Sequence, residues 1–201
     1  CFINAEAGPV YISEKAQIME GAMIRGPLFV GKNSIIKMGS KIYGSTTIGP
    51  FCLAGGEIKN SILTGFSNKA HDGYLGDSIL GEWCNLGAGT SNSNLKNNAS
   101  EIRITFGPRR EPVEAGNKHG LIMGDYSRCA INTAFNTGSV VGICCNIFGD
   151  SHDKFIPSFS WGKEKYLLEK AMDDINNWKK LKGFSITEEE KSQLIKLYHQ
   201  V

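Results

Sequence analysis

Residues 12–48 read ISEKAQIMEGAMIRGPLFVGKNSIIKMGSKIYGSTTI, and every sixth residue of this stretch is isoleucine or valine. Hydrophobic residues make up 41% of the chain, so seven specified positions would all be apolar in roughly 0.2% of frames. Chance is therefore a poor explanation for the pattern. The fourth residue after each of these positions is small in most hexads. The seven aliphatic positions are Ile12, Ile18, Ile24, Val30, Ile36, Ile42 and Ile48.

A six-residue period fits neither the 3.6-residue turn of an α-helix nor the simple alternation of a free-standing strand. It predicts a parallel β-helix, in which three hexads form one triangular coil and each coil stacks on the next. We expect the aliphatic residues to point inward and the small residues to lie near the corners. The same register returns further along the chain, at Leu80, Leu86, Met123, Cys129, Phe135, Val141 and Ile147.

Two segments interrupt the repeat. The first is a predicted four-residue insertion between Ile48 and Ile58, and the second spans about residues 92–120. Loops that leave a rigid scaffold often carry function. In the second segment, the adjacent Arg109 and Arg110 fit a solvated loop face and a phosphate contact equally well.

The C-terminal part differs from the rest because glycine nearly vanishes from Trp161 onward and helical spacing appears. Gly183 is a plausible C-terminal cap of a first helix, and Thr187–Glu190 reads as a capping box that opens a second. We therefore expect a coil over residues 1–160 and a helical segment over residues 161–201. The helices are expected to cap the coil or bridge subunits.

The composition limits the class of protein. The 201 residues, 21% of them charged, match a single globular domain. A net charge of +2 gives no indication of nucleic acid or anionic lipid as partner, and no apolar run reaches the ~18 residues of a membrane span. Because the chain begins at Cys1 without a signal-peptide pattern, we expect a cytoplasmic protein with an upstream domain outside this sequence.

The six cysteines show no C-x-x-C pair and no zinc-ligand spacing with histidine. We expect buried free thiols in a reducing compartment and no metal requirement. Cys52, Cys84 and Cys145 occupy small positions of the repeat, and Cys129 occupies an aliphatic one, so packing explains all four.

His71 is the candidate catalytic residue, in the sequence NKAHDGYLGD at residues 68–77. A neutral imidazole can take a proton from an attacking amine or hydroxyl near neutral pH. Glu57 is a candidate to orient the ring, as the third member of a triad does. Lysines such as Lys59 suit a phosphorylated substrate. The other histidines, His119, His152 and His199, lack comparable surroundings.

The hexads, together with HDGYLGD at residues 71–77 and NLGAGT at residues 85–90, resemble the hexapeptide acyltransferases. The resemblance covers about residues 31–149. It is to the acetyltransferase half of the bifunctional family that acetylates glucosamine-1-phosphate and uridylylates the product. It implies a left-handed parallel β-helix, a homotrimer with sites between neighbouring coils, and acetyl-coenzyme A as cosubstrate. The upstream domain would then be a sugar-phosphate nucleotidyltransferase.

Carried over by residue, the resemblance implies that His71 is the general base and Glu57 the carboxylate that orients it. Lys37 stands where the family has an arginine, which keeps the charge and loses the bidentate fork. Ile131 stands where the family has a coenzyme-binding serine. The residues implied to hold the sugar phosphate are Lys37, Lys59, Tyr74 and Asn85, and those implied for the acetyl and coenzyme side are Asn94, Lys118 and Gly149.

Two other functions stay open at this point. The coil could be a non-catalytic oligomerisation or regulatory module of an upstream nucleotidyltransferase. It could also be an acyltransferase for another amino sugar. The grouping of His71, Tyr74, Asn85 and Lys59 favours an enzyme, because a spacer does not need these residues.

Overall fold

The computed structural model describes residues 1–107, 110–149 and 153–201, and Arg109 and His152 lie outside these ranges. Short strands follow one another around a three-sided coil, and two helices follow them, α1 (Leu168–Lys180) and α2 (Glu188–Tyr198). The strands in chain order are β1 (Phe2–Asn4), β2 (Val10–Ile12), β3 (Gln17–Ile18), β4 (Met23–Arg25), β5 (Leu28–Val30), β6 (Ile35–Ile36), β7 (Lys41–Tyr43), β8 (Thr46–Ile48), β9 (Leu53–Ala54), β10 (Glu57–Lys59), β11 (Ile62–Leu63), β12 (Asn68–Lys69), β13 (Tyr74–Gly76), β14 (Ile79–Leu80), β15 (Asn85–Leu86), β16 (Ser91–Asn92), β17 (Arg103–Ile104), β18 (Val113–Glu114), β19 (Ile122–Met123), β20 (Arg128–Cys129), β21 (Ala134–Phe135), β22 (Val140–Val141), β23 (Asn146–Ile147), β24 (Phe155–Ile156), β25 (Ser160–Trp161) and β26 (Glu164–Lys165).

Three sheets form the sides of the coil, because each strand pairs with the equivalent strands of neighbouring coils. Sheet A has the order β1-β4-β7-β10-β13, and sheet B the order β2-β5-β8-β11-β14-β19-β22-β24. Sheet C has the order β26-β25-β23-β20-β15-β12-β9-β6-β3, and its only antiparallel pair among the described strands is β25–β26. The predicted hexapeptide β-helix with a C-terminal helical segment is confirmed.

The aliphatic positions of the hexads form the core. Ile24, Ile42 and Ile58 stack in adjacent coils and are at most 2% exposed. The small positions are also buried, and their hydroxyl groups donate to carbonyl groups at the corners, as Ser34 Oγ does to Gly49 O at 2.6 Å. Small residues therefore serve two needs at a corner, since they fit the space and satisfy buried carbonyls.

The described cysteines are free and, apart from Cys1, buried. Cys52, Cys84 and Cys145 lie at small positions, and Cys129 points into the core. Burial raises the pKa of all four thiols, to about 11 for Cys52 and about 12 for Cys84. A thiol whose pKa is raised is a poor nucleophile, so these side chains serve in packing.

The interval between Ile48 and Ile58 contains a deletion, and the predicted insertion there is wrong. Ala54 takes the inward position of sheet C, where it pairs with Ile36 of the coil below. The next inward residue, Ile58, follows four positions later, whereas Ile42 follows Ile36 by six. The corner at Gly55–Gly56 is therefore two residues shorter than a regular corner.

The second interruption is an insertion, as predicted. The described residues 93–107 and 110–120 leave the coil, and they include the antiparallel pair β17–β18. Ile102 and Ile104 of this hairpin pack with Val140 on the outer face of sheet B. Lys154 Nζ donates to Arg103 O at 2.7 Å and holds the hairpin against the coil. The insertion thus covers apolar residues that would otherwise face solvent.

The helical segment docks on the outside of the coil. Phe184 lies edge-on to the stacked rings of Phe51, Phe66 and Trp83, at centroid distances of 5.2–5.9 Å. Lys182 Nζ donates to Phe51 O and Phe66 O. The predicted capping box at Thr187 is present, whereas residues 160–165 form the pair β25–β26 before α1 begins. Among the helices of the described ranges, none has the length and apolarity to span a membrane.

Replacing Phe184 with alanine is expected to lower the free energy of unfolding by about 2 kcal/mol, because the residue, although 39% exposed, loses three aromatic edge contacts. Urea unfolding followed by circular dichroism measures the change. The control is Leu181→Ala, since Leu181 is 77% exposed and its loss should cost less than about 0.5 kcal/mol. Equal effects of the two substitutions would contradict this account of docking.

Candidate active site

His71 lies at the corner between β12 and β13, and its side chain is exposed. The ring lines a surface depression of about 490 Å³. Lys37, in the site predicted from the sequence, and Ile131, the residue at the family's serine position, line the same depression. The other lining residues are Met38, Gly56, Ala70, Asp72, Ala88, Gly89 and Asn132. A ring at the edge of an open depression can meet a bound acceptor.

Glycines bring the neighbouring coils close to His71. A Cβ atom on Gly56 would lie 2.7 Å from His71 O, and one on Gly55 would lie 2.4 Å from Ala70 O. Gly73 has a φ of +116°, and a Cβ there would lie 2.0 Å from Thr90 O. Side chains at these positions would push the coils apart. The glycines therefore set the distance between the corner that carries His71 and the neighbouring coil.

The outer face of sheet A carries a first polar group of predicted site residues. Glu57 pairs with Tyr74 of the next coil, and Lys59 pairs with Tyr43 of the preceding one. Tyr43 Oη donates to Glu57 Oε1 at 2.5 Å, and Lys59 Nζ lies 5.9 Å from the centre of the Tyr43 ring. The hydrogen bond to Glu57 raises the pKa of Tyr43 to about 12. The phenol thus stays a donor that holds the carboxylate.

Tyr74 belongs to a second polar group at the edge of the same face. Asn94 Nδ2 donates to Tyr74 Oη at 3.0 Å and also to the Asp77 carboxylate. Asn60 Nδ2 donates to Asp77 Oδ1 at 2.6 Å. Burial, followed by the charges of Asp77 and Glu57, raises the pKa of Tyr74. A protonated phenol beside an anchored amide can donate to and accept from a polyhydroxylated ligand.

Other predicted site residues lie elsewhere in the protomer. Asn85 is on the outer face of sheet C, where Asn68 Nδ2 donates to its Oδ1 at 3.2 Å. Lys118 is exposed in the insertion, and Gly149 is exposed after β23. Among the described hydrogen bonds, the Glu57 carboxylate accepts from Tyr43 and none joins it to His71. Within one chain, His71 and Lys37 therefore lie together at the depression. Glu57, Lys59 and Tyr74 form a separate group on sheet A.

Three partners of these residues, and the interior position of Lys69, were not predicted from the sequence. The three partners are Tyr43, Asp77 and Asn132. Each reaches the site by a contact between neighbouring coils, and the length of each coil decides which residues make such contacts. Lys69 points into the core and is 1% exposed. The interior position of Lys69 could have been predicted from the sequence, because Lys69 stands six residues after Leu63, at an aliphatic position of the repeat.

Lys69 is the ionisable group of the core closest in sequence to His71. Its Nζ donates to Gly55 O at 3.2 Å and to His71 O. Burial lowers the pKa of Lys69 to about 8. In the part of the chain that the structure describes, no cluster of three or more His, Cys, Asp or Glu side chains is placed to hold a metal ion.

Comparison with known proteins identifies relatives of this coil, although no protein-family model matches the chain. A bifunctional protein GlmU of Methanocaldococcus jannaschii is 37% identical over 89 residues, which cover 44% of this chain and 21% of that protein. A bifunctional sugar-1-phosphate nucleotidylyltransferase/acetyltransferase of Sulfurisphaera tokodaii is 31% identical over 148 residues, which cover 70% of this chain and 35% of that protein.

A search of solved structures finds a hexapeptide transferase family protein from Anaplasma phagocytophilum, with a TM-score of 0.47 and 17% sequence identity. The match covers 94% of this chain and 87% of that one. The two curated relatives are much longer than the region they share with this chain, which spans 21% of the first and 35% of the second. The homologues of this β-helix are bifunctional proteins of the GlmU type.

Proposed function

We propose that this chain is the acetyltransferase part of a bifunctional sugar-phosphate enzyme. It moves an acetyl group from acetyl-coenzyme A to the amine of glucosamine-1-phosphate, on the route to UDP-N-acetylglucosamine in the cytoplasm. The observation that carries the proposal is the exposed His71 at an open depression, next to a sheet face that holds Glu57, Lys59 and Tyr74. The Sulfurisphaera relative is named an acetyltransferase as well as a nucleotidylyltransferase, which supports the proposal.

In the proposed reaction, His71 takes a proton from the acceptor amine as its nitrogen attacks the thioester carbonyl. The C–N bond forms and the C–S bond breaks. The coenzyme leaves as a thiolate and receives the proton from His71. A backbone N–H group at the glycine-rich corners would stabilise the oxyanion, a contribution of about 3 kcal/mol for one such donor.

The acceptor would bind along the outer face of sheet A. Lys59 supplies a charge for the phosphate, Tyr74 supplies a donor and acceptor for the sugar, and Asn94, which donates to Tyr74, would lie near the acetyl group and the sugar amine. Lys37 adds a second cation beside His71, and Ile131, which lines the same depression, offers an apolar contact to the acetyl-coenzyme A arm. Lys118 and Gly149 remain proposed coenzyme contacts.

A homotrimer would complete the site. Asn85 lies on sheet C and Glu57 on sheet A, so the two side chains of one protomer face different directions. A site that uses both therefore needs Asn85 from a neighbouring subunit. We also propose that a nucleotidyltransferase domain precedes residue 1, that residues 1–160 and 161–201 are the two parts of this region, and that the acetyl transfer needs no metal.

Replacing Lys59 with methionine is expected to raise the KM for glucosamine-1-phosphate about 10-fold, because one charge contact to the phosphate is lost. The KM for unphosphorylated glucosamine should not change, since that substrate lacks the partner of Lys59. Initial rates measured with both sugars test this. Lys15→Met, at an exposed corner of the first coil, is the matched control, and an equal rise for both sugars would contradict the assignment.

The function itself is tested by acetyl-transfer assays on glucosamine-1-phosphate, glucosamine and a nucleotide-linked amino sugar, together with calorimetry of coenzyme A binding. Turnover highest on glucosamine-1-phosphate supports the proposal. A preference for the nucleotide-linked sugar would move the acceptor assignment to that class. Absence of both coenzyme A binding and turnover would favour the non-catalytic module. Light scattering after size exclusion measures the expected trimer.

A further inference from the structure

Lys69 occupies a position that the fold reserves for aliphatic residues. It is 1% exposed, and the inward residues of adjacent strands in sheet C are Ala54 and Leu86. A buried ammonium group is costly unless other groups satisfy it. Packing alone therefore does not account for a lysine here, since a leucine would fill the space without that cost.

Other corners between sheet C and sheet A show which groups usually donate hydrogen bonds to the carbonyls there. At three corners of this edge the small position carries a hydroxyl that donates to a corner carbonyl, whereas Ala22 of the first coil has none. Ser40 Oγ donates to Lys37 O of its own corner at 2.5 Å and to Ala54 O of the next coil at 3.4 Å. Thr90 Oγ1 donates to Ala130 O of the next coil at 3.3 Å. Hydroxyl groups thus hold successive coils together along this edge.

The two stacked corners at His71 lack that hydroxyl. The corner at Gly55–Gly56 is two residues short and has no small position, and the corner above it carries Gly73 at the position equivalent to Ser40. Neither can gain a side chain, because a Cβ on Gly56 or Gly73 would collide with backbone oxygens. The carbonyls of these corners need another donor.

Lys69 is that donor. Its Nζ reaches Gly55 O in the lower corner and His71 O in the upper one. In addition, Gly55 N donates to Lys69 O at 2.6 Å, so the same two residues are joined through backbone and side chain. Gly55 O is equivalent to the hydroxyl acceptor Lys37 O, whereas His71 O is a further carbonyl of the upper corner. Resting on the proposed function, we propose that Lys69 is a positioning residue whose ammonium group replaces a corner hydroxyl at Gly55 O, bridges to His71 O, and so fixes the His71 backbone for acetyl transfer.

The test replaces Lys69 with methionine, which keeps the apolar stem and removes the donors. The kcat for acetyl transfer is expected to fall about 10- to 100-fold, because the base is misplaced. The KM for the acceptor should stay within about 2-fold, since Lys59 and Tyr74 are untouched. Leu86→Met, a substitution in the next coil that removes no donor, is the matched control and should leave both constants unchanged.

A spectroscopic measurement keeps the test independent of turnover. The chain has four histidines, so the imidazole Cε1 proton of His71 can be assigned by its loss in His71→Ala. In Lys69→Met this resonance should shift or broaden, and those of the other histidines should not. If wild type transfers no acetyl group, the proposed function fails while the spectrum still decides whether Lys69 holds the corner.

An unmoved His71 resonance with an unchanged kcat would overturn the proposal. So would equal changes at all four histidines, since that result describes a general loss of packing. Should Lys69→Met lack the wild-type circular dichroism spectrum, Lys69→Gln, which retains one donor group, is compared in the same way. An intermediate loss of kcat with a selective shift at His71 is then expected.

Discussion

The variant His71→Ala is expected to transfer acetyl groups about 100- to 10,000-fold more slowly than wild type at saturating substrate. The reason is that the amine of the acceptor must lose a proton as it attacks, and His71 is the imidazole that lines the depression.

The fold should be unaffected by this change, because the His71 ring is exposed and contributes nothing to the core. The expected circular dichroism spectrum and unfolding midpoint are therefore those of wild type. His199→Ala, in an exposed histidine that follows α2, is the matched control and should retain full turnover. A His71→Ala protein with wild-type kcat would remove His71 from the mechanism.

The variant Gly73→Ala is expected to lose about 3–5 kcal/mol of unfolding free energy. Two costs add at this position. Gly73 has a φ of +116°, which other residues rarely adopt, and its added Cβ would lie 2.0 Å from Thr90 O. The clash is with backbone, so it can be relieved only by moving the corner that carries His71.

Gly39→Ala separates the two costs. Gly39 also has a positive φ, +69°, but open space surrounds the position of its Cβ. This control should lose only about 1 kcal/mol, the cost of the left-handed conformation. Urea unfolding of both variants measures the difference. Similar losses in the two would show that the coils can separate at Gly73 without penalty, and that close stacking does not define the His71 corner.

The hexad period predicted the architecture because one geometric condition recurs in every coil. In most coils an inward residue such as Ile42 is apolar and a corner residue such as Ser40 is small, because the space inside the coil and at its corners is the same each time. The capping box at Thr187 was predictable for the same reason, since its two hydrogen bonds join residues three apart. Local rules of this kind can be read from a single sequence.

The gap between Ile48 and Ile58 was misread because ten residues can be divided in two ways. One hexad followed by four extra residues accounts for ten positions and suggests an insertion. Two hexads, which form two sides of a coil, also account for ten positions if the corner between them is two residues shorter. The pairing of Ala54 with Ile36 decides between them. Only backbone pairing between coils fixes that register.

The candidate site was predicted in part. The position of His71 at an opening of the coil, and the grouping of Glu57, Lys59 and Tyr74, follow from motifs that lie within about one coil of each other in sequence. The hydrogen bond from Tyr43 to Glu57 and the interior position of Lys69 do not. Both depend on which residues the stacking places side by side.

By itself, the order of amino acids determined the repeating coil, its aliphatic core and the residue expected to move a proton, because each requirement is met within a few neighbouring positions. The folded chain alone decided that Asn85 faces away from Glu57, and that a lysine in the core supports the corner of His71. Both relations involve residues of different coils, and the number of residues that separates the partners in the sequence depends on the length of every turn.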